Sequence, residues 1–134
     1  MIALDTNVFV RFLVDTPDGA TDQSVRARRL VEEAEARGEP VLIPLVVLVE
    51  SVWVLRKVYK IPKADVVGAY RALFGSGGFL VEDASAAEAA LQEWEAGGGD
   101  FADYLIGVRA RVLGAREVYT FDTALHGSDG FRDP

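Results

Sequence analysis

Short apolar runs alternate along the chain with longer segments in which apolar side chains recur every three or four residues. The apolar runs are "MIAL" at 1–4, "PVLI" at 40–43, "FLV" at 79–81 and "EVYTF" at 117–121, and their length suits strands. The periodic segments predict helices at 6–14, 22–37, 44–58, 63–74, 85–96 and 100–114. Strands that alternate with helices indicate a parallel sheet with helices on both faces. We therefore predict an α/β fold, a three-layer α/β/α sandwich with a mainly parallel central sheet.

Glycine and proline mark the ends of several segments. Gly38 stands where a left-handed residue ends a helix, and Pro44 suits the first turn of the helix that follows. The sequences "DTPDG" at 15–19, "GSGG" at 75–78 and "GGG" at 97–99 predict loops or breaks. No repeat, low-complexity tract or linker is visible in the sequence. We expect one domain over residues 1–134.

The third predicted helix carries a carboxylate within an apolar sequence. From 45 to 55, only Glu50 and Ser51 interrupt the apolar run, and a helix without a polar face is normally covered on all sides. We therefore expect Glu50 to be buried. An ionised carboxylate in apolar surroundings is costly unless it is paired or coordinated. Because Arg56 and Lys57 lie off its helical face or at the far end, the pattern predicts a different compensating partner.

Composition removes several classes of function. The sequence has no cysteine and a single histidine, His126, which excludes thiolate nucleophiles, cysteine-ligated zinc and ribonucleases with paired histidines. A Ser-His-Asp triad would have to take its base from the Gly- and Asp-rich tail "LHGSDGFRDP". No apolar stretch reaches the length of a membrane span and no signal peptide is visible, so we expect a cytoplasmic protein without membrane contact. The net charge of −7, from 21 acids and 14 bases, by itself argues against a nucleic-acid partner.

Four carboxylates are placed so that they can meet. In parallel α/β sheets, ligands bind beyond the carboxyl ends of the strands. Asp5 directly follows the first strand and Asp122 the last strong one, while Glu50 lies in the first half of the helix after the second strand. Asp103 lies in the first turn of the helix reached through "GGG". We expect these four side chains to converge at one edge of the sheet.

Each of three acids also has a purely structural interpretation. Asp5 and Asp122 can cap the turn or helix that follows a strand. In "DFAD", Asp100 and Asp103 have the spacing of a capping box, and a carboxylate in the first turn is favoured by the helix dipole. The sequence leaves these alternatives open.

A divalent cation would reconcile the four acids. Crowded carboxylates raise each other's pKa unless a cation lies between them, and Mg²⁺ or Mn²⁺ prefers oxygen ligands. Such a site explains why Glu50 stands in an apolar helix. It also answers the objection from net charge, because the metal supplies positive charge where a phosphate must approach.

Four sequence segments, in order and spacing, resemble the PIN domain, in particular the VapC-type toxins of bacterial toxin–antitoxin modules. They are "LDTNVFVRFL" at 4–13, "VESVWVL" at 49–55, "DFADYLIGVRARVLGA" at 100–115 and "VYTFDTAL" at 118–125. The resemblance implies that Asp5, Glu50, Asp103 and Asp122 bind Mg²⁺ or Mn²⁺. It further implies that Thr6, Asn7 and Thr120 support them, that Asp100 is a second supporting acid or only a cap, and that "GFRDP" supplies a last short strand.

The activity implied by the resemblance is metal-dependent endoribonuclease cleavage, inhibited by an antitoxin that covers the site, in a protein that is usually a homodimer. Water activated by a metal attacks phosphorus in line without using the 2′-OH, so single-stranded DNA is a possible second substrate. Candidates for phosphate contacts are Arg11, Arg56, Lys57, Lys60 and Lys63, with a solvated helix end as the alternative. Trp53, Tyr59 and Tyr70 are candidates for an aromatic surface that binds the antitoxin, although the core is an alternative location for at least one of them.

Other functions remain open at this point. A phosphatase of the haloacid dehalogenase type also has an Asp after the first strand, but its second Asp is replaced here by Asn7. A receiver domain would need a lysine after a late strand, where this chain has "TALHG". A non-catalytic PIN scaffold that binds RNA or a partner is the alternative from a different class.

Overall fold

The computed structural model describes residues 1–14 and 21–134. The chain divides into two compact units, Met1–Glu82 and Asp83–Pro134. The described part of the first unit contains β1 (Ile2–Ala3), α1 (Thr6–Leu13), α2 (Asp22–Ala36), β2 (Val41–Ile43), α3 (Leu45–Lys57), α4 (Lys63–Gly75) and β3 (Phe79–Val81). The second unit contains α5 (Ala84–Ala96), α6 (Phe101–Val112), β4 (Val118–Tyr119), a 3₁₀ turn (Thr123–Leu125) and β5 (Phe131–Arg132). The loop predicted at 15–19 lies outside the described residues.

The predicted helices and strands are all present, with ends that differ by one or two residues from the expected ones. Gly38 has a φ of +63° directly after the last turn of α2, as its position predicted. No helix in the described ranges has the length and apolar character needed to cross a membrane.

The first unit is built on a parallel sheet in the order β1-β2-β3. Ile2 is in register with Val41, and Val41 with Phe79. Because all three strands run the same way, α1 and α3 begin at the same edge of the sheet, just after β1 and β2. This edge is where the sequence predicted Asp5 and Glu50.

Helix α3 corrects one expectation. Val46, Glu50, Trp53 and Lys57 recur at intervals of three and four residues and are all exposed, so the helix has a solvent-facing side. The prediction that Glu50 is buried was wrong. The apolar content of the helix misled the prediction because valine and tryptophan occupy this exposed side, with Trp53 57% exposed.

The opposite side of α3 packs on α4 through a buried polar pair. Ser51 Oγ donates to the carbonyl oxygen of Leu48 at 2.8 Å and also bonds the hydroxyl of Tyr70. Since the hydroxyl proton of Ser51 is already used, the Tyr70 hydroxyl is the donor in the second bond. Burial raises the pKa of Tyr70 far above its usual range, which keeps the phenol neutral.

The second unit is held together by α5, α6 and the parallel pair β4–β5. The Trp94 and Phe101 rings meet edge to face at 5.8 Å between centres. Phe131 of β5 is buried against α6, where a Cβ on Gly107 would come within 3.0 Å of its Cζ, so the glycine makes room for the ring. The short last strand expected from "GFRDP" therefore forms, in register with β4.

Candidate active site

In the first unit, Thr6, the residue after Asp5, is hydrogen-bonded to Glu50. The Thr6 hydroxyl donates to Glu50 Oε2 at 2.9 Å, and Thr6 is the first residue of α1, directly after Asp5. The contact joins the start of α1 to the middle of α3. Both carboxylates are exposed, so they can reach a ligand from solvent.

Asp5 also caps α1, as the structural alternative predicted. Its Oδ1 accepts a hydrogen bond from the backbone N–H of Val8 at 3.1 Å. A carboxylate has two oxygens and several lone pairs, so a cap made by Oδ1 leaves Oδ2 able to bind a cation. The cap fixes the direction of the carboxylate rather than excluding a second role.

Asp100 and Asp103 form a capping box at the start of α6 in the second unit. The backbone N–H of Asp100 donates to Asp103 Oδ2 at 2.8 Å. Partial burial raises the pKa of Asp103, and repulsion from Asp100 and Asp122 adds to the rise, while the bond from Asp100 opposes it. Asp103 is therefore close enough to Asp100 and Asp122 to be affected by their charges.

Asp122 follows β4 and is held at two points. Its Oδ1 accepts from the backbone N–H of Ala124 at 2.9 Å, which caps the 3₁₀ turn. Its own N–H donates to Thr120 Oγ1 at 3.0 Å. Thr120 thus bonds the backbone of Asp122, and Thr6 bonds the side chain of Glu50. Asn7, the third expected supporting residue, is exposed on α1.

In the first unit the structure thus links Thr6, the neighbour of Asp5, to Glu50, and in the second unit the charge of Asp122 acts on Asp103. Among the described residues, no group of three or more His, Cys, Asp or Glu side chains is found that could hold a metal ion. The chemistry of the donors nevertheless suits Mg²⁺ or Mn²⁺, because each pair offers carboxylate oxygens. The shared four-carboxylate site stays a prediction.

A cleft of about 920 Å³ lies in the first unit. Its described lining comes from α1, α2, the end of α3 and Tyr59. Thr6 and Asn7 line it, so it reaches the start of α1 beside Asp5. The lining includes Thr6, Asn7, Val8, Val10, Arg11, Gln23, Arg26, Ala27, Arg29, Leu30, Glu33, Val54, Val58 and Tyr59, with arginine the commonest charged residue.

The predicted phosphate-binding residues occupy different settings. Arg11 lines the cleft and donates to Tyr59 Oη at 2.6 Å and to Gln23 Oε1 at 3.1 Å. Arg56 donates to the carbonyl oxygen of Ile61 at 2.9 Å and so holds the turn after α3.

The three predicted lysines lie between the last residue of α3 and the first residue of α4. Lys57 and Lys60 are exposed, and Lys63 begins α4. Among the three aromatic candidates, Tyr59 lines the cleft and Trp53 is exposed. Tyr70 is buried, which confirms that at least one of the three belongs to the core.

Two exposed aromatic residues beside the candidate acids were not identified from the sequence. Tyr119 and Phe121 are 61% and 85% exposed, and Phe121 directly precedes Asp122. Alternation in "VYTFD" was the available signal, because residues two apart on a strand lie on the same face.

Comparison with known proteins adds two findings. The family model of the PIN domain matches residues 2–129. A VapC ribonuclease of Aquifex aeolicus (strain VF5) is 28% identical over 121 residues, which cover 90% of this chain and 87% of that protein. The family match spans all four candidate carboxylates.

Proposed function

Because the chain belongs to the PIN domain family, we propose that it is a metal-dependent endoribonuclease that acts as the toxin of a toxin–antitoxin pair. The observation that carries the proposal is the hydrogen bond from Thr6, the residue after Asp5, to Glu50, because the resemblance predicted both Asp5 and Glu50 as ligands. The similarity to a VapC ribonuclease supports RNA as the substrate. Family membership also removes the phosphatase and receiver alternatives.

Asp5, Glu50, Asp103 and Asp122 are proposed to hold Mg²⁺ or Mn²⁺ together. The capping bonds of Asp5, Asp103 and Asp122 support this role, because each fixes one carboxylate oxygen before any cation binds. A ligand that is already oriented loses less entropy on binding. Thr6 and Thr120 support the site by bonding Glu50 and the backbone of Asp122.

A bound divalent cation would supply activation of water and stabilisation of charge on the phosphate. The residues of the chain supply the rest. The carboxylates orient the water and accept its proton, and the 2′-OH of the substrate is not required as a nucleophile. Arg11 is a candidate to contact the phosphate backbone from the cleft, and Lys57 and Lys60 are candidates from solvent.

The cleft of the first unit is the proposed binding place for an antitoxin segment. It combines apolar side chains such as Leu30, Val54 and Val58 with Arg11 and Arg26. This lining suits a segment that carries apolar and acidic residues. Because Thr6 and Asn7 line the same cleft, an occupant would reach the region of Asp5 and could block it. From the resemblance alone, we further propose that the protein is a cytoplasmic homodimer.

The decisive experiment is a cleavage assay. The purified protein is incubated with labelled tRNA, rRNA fragments, mRNA and single-stranded DNA in Mn²⁺, Mg²⁺ or EDTA, and the ends are mapped. We expect metal-dependent cuts that disappear with Asp5→Asn and with Asp122→Asn. Calorimetry should give Mn²⁺ binding to the parent protein only. RNA binding without cleavage, equal in parent and variants, would favour the non-catalytic scaffold.

The antitoxin proposal has its own test. Expression of the chain alone should slow bacterial growth, and co-expression with the small reading frame next to its gene should restore it. Normal growth with abundant folded protein that cuts RNA in vitro would contradict the toxin role while leaving the nuclease role intact.

A further inference from the structure

The two faces of the β4–β5 pair differ sharply. Val118 and Phe131 are in register on one face, and Phe131 packs against α6 with its ring centre 6.3 Å from that of Tyr104. Tyr119 and Arg132 are in register on the opposite face, and both are exposed. This second face has no helix of the unit to cover it and carries a ring beside a guanidinium.

The exposed face is held in place by one acid. Glu117 Oε2 accepts from the Tyr119 hydroxyl at 3.1 Å, and Glu117 Oε1 lies 3.4 Å from Arg132 Nε. Both side chains are therefore positioned by the same carboxylate. A surface oriented in this way loses little side-chain entropy when it binds a flat ligand.

Phe121 lies along the chain between this face and Asp122. The Thr120 backbone N–H donates to the Arg132 carbonyl oxygen at 2.9 Å, so the β4 backbone continues to pair beyond Tyr119. Phe121 itself lies beyond β4, two residues after Tyr119, so their Cα atoms are at most roughly 7 Å apart. Phe121 is 85% exposed, so its ring contributes little to the core, and the next residue is Asp122. Tyr119, Phe121 and Arg132 are called the aromatic face below.

We propose that the aromatic face stacks on bases of single-stranded RNA and positions the strand at Asp122. The inference rests on the proposed function and adds a binding surface for its substrate. Aromatic rings and guanidinium groups bind unstacked bases, whereas the bases of a duplex are stacked on one another and are not available. Stacking also tolerates any base, so the face selects strandedness more than sequence.

The competing occupant of the aromatic face is another protein, either a second copy or the antitoxin. A protein interface would need only the apolar area of Phe121, which leucine largely preserves, whereas base stacking needs a flat ring. Phe121→Leu and Phe121→Trp therefore distinguish the two occupants. Leu113 offers a matched control, since it is 76% exposed and follows α6 at the end opposite Asp103, roughly 15 Å along the helix axis.

The test measures affinity and cleavage for a single-stranded RNA, the same RNA in a duplex, and a series of single strands that each lack one base. Binding is read in Ca²⁺ by fluorescence anisotropy, with strand integrity checked on a gel, and kcat and KM are read in Mn²⁺. Phe121→Ala should weaken binding of the intact single strand by about 10-fold to 100-fold and raise KM, as expected for loss of one stacked base. Phe121→Leu should be as weak as alanine, and Phe121→Trp and Leu113→Ala should behave like the parent.

The strands that lack a base identify stacking directly. For one position in the series, the loss of binding free energy from removing the base and the loss from removing the Phe121 ring should not add, because both changes delete the same contact. The proposal is overturned if Phe121→Ala binds the intact single strand as tightly as the parent does, or if it weakens the binding of every strand by the same factor. Unchanged RNA affinity with a change of oligomeric state in sedimentation would assign the face to a protein partner. If the parent cuts no RNA, the proposed function fails, yet the binding arm still decides whether bases stack on Phe121.

Discussion

At the scale of single residues, capping and metal binding are compatible in this protein. Asp5, Asp103 and Asp122 each use one carboxylate oxygen to accept a backbone N–H. The structural interpretation of these acids was therefore correct, but it did not compete with the functional one. A cap fixes where the second oxygen points, which is what a preorganised ligand needs.

Glu50→Gln should reduce RNA cleavage by roughly 10²-fold or more without lowering stability, because it removes charge and keeps the shape. The exposure of Glu50 removes the alternative of a buried ion pair, whose disruption would have destabilised the fold. Glutamine retains an acceptor for the Thr6 hydroxyl. Thermal melts in EDTA and initial rates in Mn²⁺ measure the two effects.

Thr6→Val is the matched control for Glu50. It removes the hydrogen bond and keeps the carboxylate, so a smaller loss of activity than in Glu50→Gln is expected if charge is what matters. A Glu50→Gln protein that cuts RNA at the parent rate would contradict a role in the metal site.

Asp103→Asn should leave the protein at least as stable as the parent in EDTA at neutral pH. The pKa of Asp103 is raised above its ordinary value of 3.8 by burial and by repulsion from Asp100 and Asp122. In the window above 3.8, the folded state keeps a proton that the unfolded state releases, so the stability of the parent falls as the pH rises through the window. Asparagine carries no charge at any pH and so avoids this loss of stability, while its side-chain oxygen still accepts a hydrogen bond from the Asp100 N–H.

Urea titrations in EDTA from acid to neutral pH measure this difference, with Asp103→Ala as the control. Alanine cannot accept the capping bond and should cost about 1 kcal/mol relative to asparagine. If Asp103→Asn is as unstable as Asp103→Ala at neutral pH, repulsion at this position is not significant.

At the scale of elements, the sequence predicted the helices and strands but not which sides of them are covered. Periodicity and end signals such as Gly38 are local, so they located α2 and its end correctly. For α3, the fraction of apolar residues suggested complete burial, whereas Val46 and Trp53 face solvent. Exposure depends on what packs nearby, which the local sequence does not encode.

The "GGG" segment before α6 corrects another expectation, because it is closely packed and not merely a flexible break. A Cβ on Gly99 would lie 2.5 Å from Leu125 Cδ2 and 3.3 Å from Asp103 Oδ2. Gly99→Ala should therefore destabilise the fold by about 1–3 kcal/mol through overpacking and weaken Mn²⁺ binding by displacing Asp103. Denaturant unfolding and calorimetry measure the two consequences.

Gly98→Ala is the control from the same segment. A Cβ on Gly98 would lie an ordinary 3.7 Å from the Ala124 carbonyl oxygen, so both stability and Mn²⁺ binding should stay near those of the parent. If Gly98→Ala and Gly99→Ala lose stability and Mn²⁺ affinity equally, the losses come from reduced chain flexibility and not from the lack of space around Gly99.

At the scale of the whole molecule, the fold class predicted from the alternation of strands and helices is confirmed by the PIN family match over residues 2–129. The division into units at Glu82 was not predicted, because no linker composition marks it. The expectation of one domain over residues 1–134 stays a prediction. The convergence of Asp5, Glu50, Asp103 and Asp122 on one cation stays a prediction; the structure shows the Thr6–Glu50 hydrogen bond next to Asp5 and the charge of Asp122 acting on Asp103.

The sharing of a cation can be tested through stability. A ligand that binds only the folded state stabilises it by about 2.7 kcal/mol at a concentration of 100 Kd, so Mn²⁺ should raise the melting temperature of the parent and EDTA should reverse the rise. If all four carboxylates hold the ion, Asp5→Asn in the first unit and Asp103→Asn in the second should each abolish the shift. Asp65→Asn, which changes an exposed acid at the start of α4, should keep it. Loss of the shift in only one of the two site variants would place the ion within that unit alone, and a shift that survives in both would contradict the four-carboxylate site.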